Sequence, residues 1–128
     1  MNRSIEGREL ITLSARGVVV HGTLHKSRSA DLDASEKPRV GIVFLNSLSL
    51  PRTATGDSAV YWADSFAEYG YPSFRIDLPG LGDSDGYLPV NLLDCINGGG
   101  FAAVVSDKVQ EIAERFTLSV VVLVGHCA

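Results

Sequence analysis

Apolar and polar positions along the chain fall into two regimes. In the first, "ELITLSARGVVVHGTLHKS" alternates polar and apolar residues over strand-length stretches, which predicts two strands at 10–14 and 18–25. The join at Ala15-Arg16-Gly17 suits a hairpin, because glycine takes the positive φ of a tight turn without steric cost. The alternation predicts one wet face for this hairpin. A polar, aperiodic stretch, "SRSADLDASEKP" at 27–38, then reads as a surface loop.

The second regime begins at residue 39. "RVGIVFLN" at 39–46 is a near-continuous apolar run of strand length, as expected for a strand covered on both faces. A loop with Pro51 follows. From 56 to 69, Val60, Ala63, Phe66 and Ala67 recur at helical spacing, with Asp57 or Ser58 placed to cap the start and Gly70 to end it. "SFRI" at 73–76 predicts a short strand that stops before Pro79-Gly80. The stretch 81–100 is turn-rich and predicts no element. From 101 to 116 an apolar stripe of Val104, Val105, Val109, Ile112, Ala113 and Phe116 opposes Asp107, Lys108, Glu111 and Glu114. A last strand, "VVVLV" at 120–124, is uniformly apolar. Buried strands alternating with amphipathic helices after a hairpin predict an α/β layered fold with a mostly parallel sheet.

Composition narrows the function classes. The 128 residues suffice for one domain, and 45% hydrophobic with 20% charged residues is ordinary for a globular α/β protein. A net charge of −4 without Lys/Arg clusters argues against a nucleic-acid partner. Two cysteines, Cys95 and Cys127, are too few for a disulfide framework, which makes a reducing cytoplasm the expected compartment. The N-terminus lacks an apolar signal-like core and the run 120–124 is far too short to span a bilayer, so neither a targeting signal nor a membrane partner is expected.

The chemistry concentrates at the end. Gly125-His126-Cys127-Ala128 follows the last strand directly, where open α/β sheets place functional groups beyond the carboxyl ends of their strands. These residues match the first four positions of Gly-x-nucleophile-x-Gly, a sharp strand-to-helix turn in which small neighbours avoid clashes; position 129 would be the second glycine. Asn46-Ser47-Leu48, after the strand at 40–45, offers a backbone N–H that could join that of Ala128 in an oxyanion hole. "DLPGLGDSDG", from Asp77 on, forms a Gly-rich turn after the next strand.

In this order and spacing the chain resembles the α/β-hydrolase family from Leu10 to Ala128. "DLPGLGDSDG" is similar to the family's loop after its fourth strand, and "VVVLVGHCA" to its fifth strand and nucleophile elbow. The resemblance implies a three-layer sandwich with an N-terminal antiparallel hairpin, truncated after the fifth strand, so that residues 1–128 are the N-terminal part of a single domain. It implies a Ser/Cys-His-Asp hydrolase acting on a small-molecule ester, thioester, amide or related acyl bond. It further implies Cys127 as the nucleophile, Ala128 with Ser47 or Leu48 as the oxyanion donors, and no need of a cofactor or metal. Cysteine in place of serine is similar to the branch of dienelactone hydrolases and exosortase-associated hydrolases. The family's acid and histidine follow the nucleophile in sequence, so neither lies in this chain, and the fragment alone is expected to be inactive. His21 and His25 fall on the hairpin, and His126 precedes the nucleophile.

Plainer readings stand beside these. Cys127 can be a small buried hydrophobe. Asn46 and Ser47 can be ordinary loop caps. Asp77, Asp83 and Asp85 suggest a metal cluster, but turn chemistry explains their spacing. Gly98-Gly99-Gly100 has no Lys-Ser/Thr to make a phosphate cradle. Tyr61 and Trp62 read as core or rim, and Cys95 has no assigned role. The rival in function is a non-catalytic α/β-hydrolase-like module, or truncated product, that associates through an open edge at 120–124. A glycine at 129 with a later histidine and carboxylate would favour the enzyme.

Overall fold

Two strands form first in the chain and pair with each other: β1 (Arg8–Leu13) and β2 (Val20–His25) lie antiparallel, from Arg8 opposite His25 to Leu13 opposite Val20. The structure, a computed structural model, describes residues 7–15, 17–27, 39–46, 52, 57–87, 91, 94–95 and 98–125. The connection is wider than the sequence predicts. Gly17 does take a positive φ of 62°, but Ser14 and Ala15 turn their N–H groups to the Glu111 carboxylate instead of to the partner strand, so both strands are displaced toward the N-terminus of β1 and the C-terminus of β2. The expected loop at 27–38 falls mostly outside the described residues.

Three further strands complete the sheet: β3 (Val40–Leu45), β4 (Ser73–Ile76) and β5 (Val120–Val124), in the order β1-β2-β4-β3-β5. β3 is parallel to both β4 and β5, whereas β2 opposes β4 as it opposes β1, so four of the five strands share one direction. This makes β2 an interior strand. Thr23 and His25, polar residues that the alternation assigns to a wet face, are buried. The hairpin is therefore wet only along β1, where Glu9, Leu10 and Thr12 are exposed.

Among the described residues, one helix lies on each face. α1 (Ser58–Glu68) buries Ala59, Ala63 and Ala67, three small residues at four-residue spacing that let its backbone approach Ile42 and Phe44. The expected side-chain cap is absent: Asp57 starts the helix in a left-handed conformation, φ 58°, without a capping hydrogen bond from its carboxylate. Gly70, at φ 97°, ends it as the sequence predicts. α2 (Ala102–Arg115) crosses the opposite face, where Ile112 joins Ile11, Leu13, Val20, Leu24, Val43, Phe74 and Ile76 in the larger core. The direction of the chain reverses between the two crossovers, toward β4 and then past β3 to β5. Two right-handed crossovers in opposite directions place their helices on opposite faces, which makes three layers.

The polar face of α2 is not turned wholly to water. Lys108 is buried and donates to the Leu13 carbonyl at 3.1 Å, Arg115 donates to the Thr12 carbonyl at 3.0 Å, and Glu111 accepts from Ser14 and Ala15. These three side chains give hydrogen-bond partners to backbone groups at the end of β1 and in the turn that follows it. Among the described residues no helix is long and apolar enough to cross a membrane.

Candidate functional site

The parallel strands end at Asn46 after β3, Asp77 after β4 and Gly125 after β5. Register places Phe44 opposite Val124 and Leu45 opposite Ile76, so the chain leaves three neighbouring strands at one edge of the sheet. Cys127, Ala128, Ser47 and Leu48, the residues singled out for nucleophile and oxyanion roles, lie outside the described residues, as does His126. What the structure defines is the pair of strands that precede them in sequence: β3 and β5 are adjacent and parallel, the arrangement that an elbow sharing its oxyanion hole with the β3 loop requires.

Beside these strands lies a built polar cluster. The Asp77 side chain is fully buried and accepts four hydrogen bonds: from the Arg52 backbone N–H at 2.8 Å, Arg52 Nη1 at 2.6 Å, the Asp83 N–H at 3.0 Å and Asn46 Nδ2 at 3.3 Å. Asn46 also accepts from the Leu78 N–H at 3.1 Å through Oδ1. Arg52 reaches Asp83 at 2.7 Å and Thr23 at 3.1 Å. Burial opposes the Arg52 charge, but its hydrogen bonds to Asp83 and Asp77 outweigh that and hold the guanidinium above its ordinary pKa. Asp83, exposed, is held below the usual carboxylate range by its bond to Arg52.

The carboxylates that suggested a metal thus already share a cation, the Arg52 guanidinium. Asp85 enters through its backbone, donating to the Val19 carbonyl and accepting from Gly80. The Gly-rich turn is packed tightly enough that a Cβ on Gly82 would run into the Asp77 carboxyl. The ordinary-cap reading of Asn46 is met, in that its amide ties the end of β3 to the start of this turn. A cavity of about 320 Å³ opens beside Arg52 and Asp83 toward Leu10, Thr12 and His21. His21 meets Thr12 Oγ1 at 3.1 Å across the hairpin.

A second polar cluster lies on the same face toward the opposite end of the strands. Asp64 of α1 takes a two-pronged ion pair from Arg8, at 3.2 and 2.5 Å, and faces His25 Nδ1 at 2.6 Å. Arg75 Nε donates to His25 Nε2 at 2.7 Å, which fixes the proton of the neutral imidazole on Nδ1, toward Asp64. Arg75 Nη1 is buried with no hydrogen-bond partner among the described residues. Burial, with the fields of Arg52 and Arg8, lowers the Arg75 pKa to about 10. Burial also dominates at His25: despite the Asp64 bond, its pKa falls from 6.5 to about 4, with the charge of Arg75 pushing the same way. Asp64 is held down by its bonds to Arg8 and His25, which outweigh its desolvation.

His25 is therefore neutral in the folded protein at pH 7 and becomes charged in the unfolded chain below about 6.5. Its contribution is full above pH 6.5 and is lost as pH falls toward 4, because the unfolded state takes up the proton first. With each unit worth about 1.4 kcal/mol, and water reaching the pair from the Asp64 side, the expected loss is about 2 kcal/mol. Urea midpoints between pH 7 and 4 should show this decline, and His25→Gln should flatten it; an equal decline in the variant would contradict the assignment.

Neither cluster was visible as a unit in the sequence. Arg52 sits in a loop with no motif, and Asp64 on a helix where a carboxylate reads as solvated. The signal that existed was Arg75, a charge inside the four-residue apolar strand "SFRI", all of it buried. The Gly98-Gly99-Gly100 turn uses two of its N–H groups on the Asp94 and Cys95 carbonyls, which leaves no anion cradle there. Tyr61 and Trp62 are rim residues, exposed and stacked edge-on at 5.2 Å.

Comparison with known proteins agrees with this geometry at the level of fold. No protein-family model matches the chain, and no curated protein matches it. Solved structures do. DcsB, determined in complex with its substrate analogue, is similar with a TM-score of 0.64 at 20% identity, over 92% of this chain and 36% of that one. The α/β hydrolase GrgF from Penicillium sp. sh18 gives 0.61 at 18% identity, over 94% and 37%. A variant of aCif gives 0.56 at 19%, over 95% and 31%. The chain spans about a third of the length of each of these proteins.

Proposed function

We propose that this chain, whose fold is that of the first five strands of an α/β hydrolase, supplies the nucleophile and oxyanion donors of an enzyme that cleaves an acyl bond in a small molecule. The observation that carries the reading is that β5 lies parallel to and beside β3; in sequence β5 is followed by Gly125-His126-Cys127-Ala128, and β3 by Asn46, Ser47 and Leu48. Cys127 is the nucleophile, and the N–H groups of Ala128 and of Ser47 or Leu48 receive the oxyanion. The chain lies in the cytoplasm, where the thiol stays reduced.

The chemistry follows from those roles. The Cys127 thiolate adds to the acyl carbonyl, and the negative charge that develops on oxygen is met by the two backbone donors. Collapse expels the alcohol, thiol or amine, which takes a proton from an imidazole, and leaves a thioester. Water, deprotonated by the same imidazole, then hydrolyses the thioester. The histidine and its acid belong to residues beyond this chain, so the 128-residue fragment by itself is inactive. His21 and His25 do not fill the role: His25 is locked between Asp64 and Arg75, and His21 lies on the hairpin, two strands away from β3.

A longer protein containing this chain should hydrolyse chromogenic short-chain esters or thioesters, and Cys127→Ala should lower kcat/KM by roughly a thousandfold or more. Activity that survives Cys127→Ala removes the assignment. A second reading is favoured by the exposure of β5, whose outer edge pairs with no strand among the described residues. In it the chain is a non-catalytic module that associates through that edge.

A further inference from the structure

The Asp77 carboxylate holds both ends of one short segment. Asn46, the last described residue before 47–51, gives it a hydrogen bond through Nδ2, and Arg52, the first described residue after it, gives two, from backbone N–H and Nη1. Thirty-one residues separate Asn46 from Asp77 and twenty-five separate Arg52 from it, so the convergence is tertiary and not local turn chemistry. A third element joins from the other side: the Asp83 N–H donates to Asp77 Oδ2, while the Asp83 carboxylate takes Arg52 Nη1. The second amide atom of Asn46 accepts from Leu78 N–H, next to Asp77 itself.

We propose that Asp77 is a positioning residue: one buried carboxylate that sets the spacing of Asn46 and Arg52 and ties both to the start of the turn at 77–85. Its meaning for catalysis rests on the oxyanion reading given above; the clamp itself does not. Two properties suit the carboxylate to this work. It is acceptor-only with about four lone-pair sites, and the described residues alone bring four donors to them. It is also fully buried, so water cannot replace a donor that leaves. Release of one end therefore weakens the hold on the other.

That coupling is the measurable consequence. In the 128-residue chain, amide hydrogen exchange resolved to single residues should find Leu78 and Asp83 protected. Arg52→Gln removes the guanidinium and touches neither Asn46 nor Leu78. It should nonetheless speed exchange at Leu78 and Asp83 at least tenfold, while amides of the β3–β4 ladder such as Phe74 and Arg75 keep their rates. Arg52→Lys, which restores a cation near Asp77 and Asp83, should recover part of the protection. Asn46→Ala should speed exchange at Arg52 in the same way, which tests the clamp from its other end if either Arg52 variant folds poorly. Unchanged protection of Leu78 in Arg52→Gln, with Arg52 unchanged in Asn46→Ala, overturns the proposal. An equal rise through the whole sheet also overturns it, since Asp77 would then be serving the core at large. None of these readouts involves Cys127 or turnover, so the loss of the hydrolase reading and the loss of the clamp would be seen separately.

Discussion

Gly82→Ala is expected to destabilise the fold by roughly 3 kcal/mol or more, through two costs that fall on the same atom. The first is backbone: Gly82 sits at φ 50°, where a Cβ costs about 1 kcal/mol. The second is larger. The new methyl would occupy space now held by the Asp77 carboxyl, which cannot retreat without giving up donors from Arg52, Asn46 and Asp83. A buried carboxylate pushed off its partners leaves both it and a guanidinium incompletely paired, a change worth several kcal/mol in general. For a chain of this size the melting temperature should fall by about 10 °C or more. Gly17→Ala is the control. Gly17 has a similar φ of 62° but open space where its Cβ would go, so it should lose only the backbone part, about 1 kcal/mol. Equal melting temperatures for the two variants would show that Asp77 accommodates the methyl.

The second large effect concerns association. β5 exposes Val120, Val122 and Leu123 at 45%, 44% and 48%, and its five residues carry no charge, proline or bulge. An apolar, regular edge is a template for another strand. Alone at about 10 μM, the 128-residue chain is expected to run as a dimer or larger in size-exclusion chromatography, through edge pairing of β5. Val122→Lys places a charge in the middle of that edge and should shift the population to monomer with its far-ultraviolet circular dichroism unchanged. A monodisperse wild-type monomer with a cooperative melt would count against the expectation directly.

The elements that the sequence disclosed were those whose hydrophobic pattern is decided by the sheet itself. β3, β4 and β5 appear at their predicted positions because strands covered on two faces, or apolar throughout, need no knowledge of their neighbours to be recognised. The hairpin was legible as a hairpin but not in its environment. Thr23 and His25 look solvent-facing by alternation, and only the insertion of β2 between β1 and β4 puts them inside. Lys108 and Glu111 misled in the same way: a polar stripe on a helix is normally wet, and here backbone groups of the hairpin, nearly a hundred residues earlier, lie against it. Asp77 read as turn chemistry, which it is, but its role depends on Arg52 and Asn46, and pairings at that separation leave no local trace. The nucleophile and oxyanion positions were legible as motif alone, since Cys127, Ala128, Ser47 and Leu48 lie outside the described residues.

The grip of α2 on the end of β1 also bears on the order in which the molecule assembles. A hairpin usually closes within microseconds because its contacts are local. This one has its far end completed by Lys108, Glu111 and Arg115, contacts that span 95 to 103 residues of chain. Closing so long a loop carries an entropic cost that the local contacts of the hairpin do not, so these bonds depend on α2 having docked. Until α2 docks, the Thr12 carbonyl and the N–H groups of Ser14 and Ala15 are thus left to water, so hydrogen exchange at Ser14 and Ala15 reports the docking of α2 rather than the closing of the hairpin.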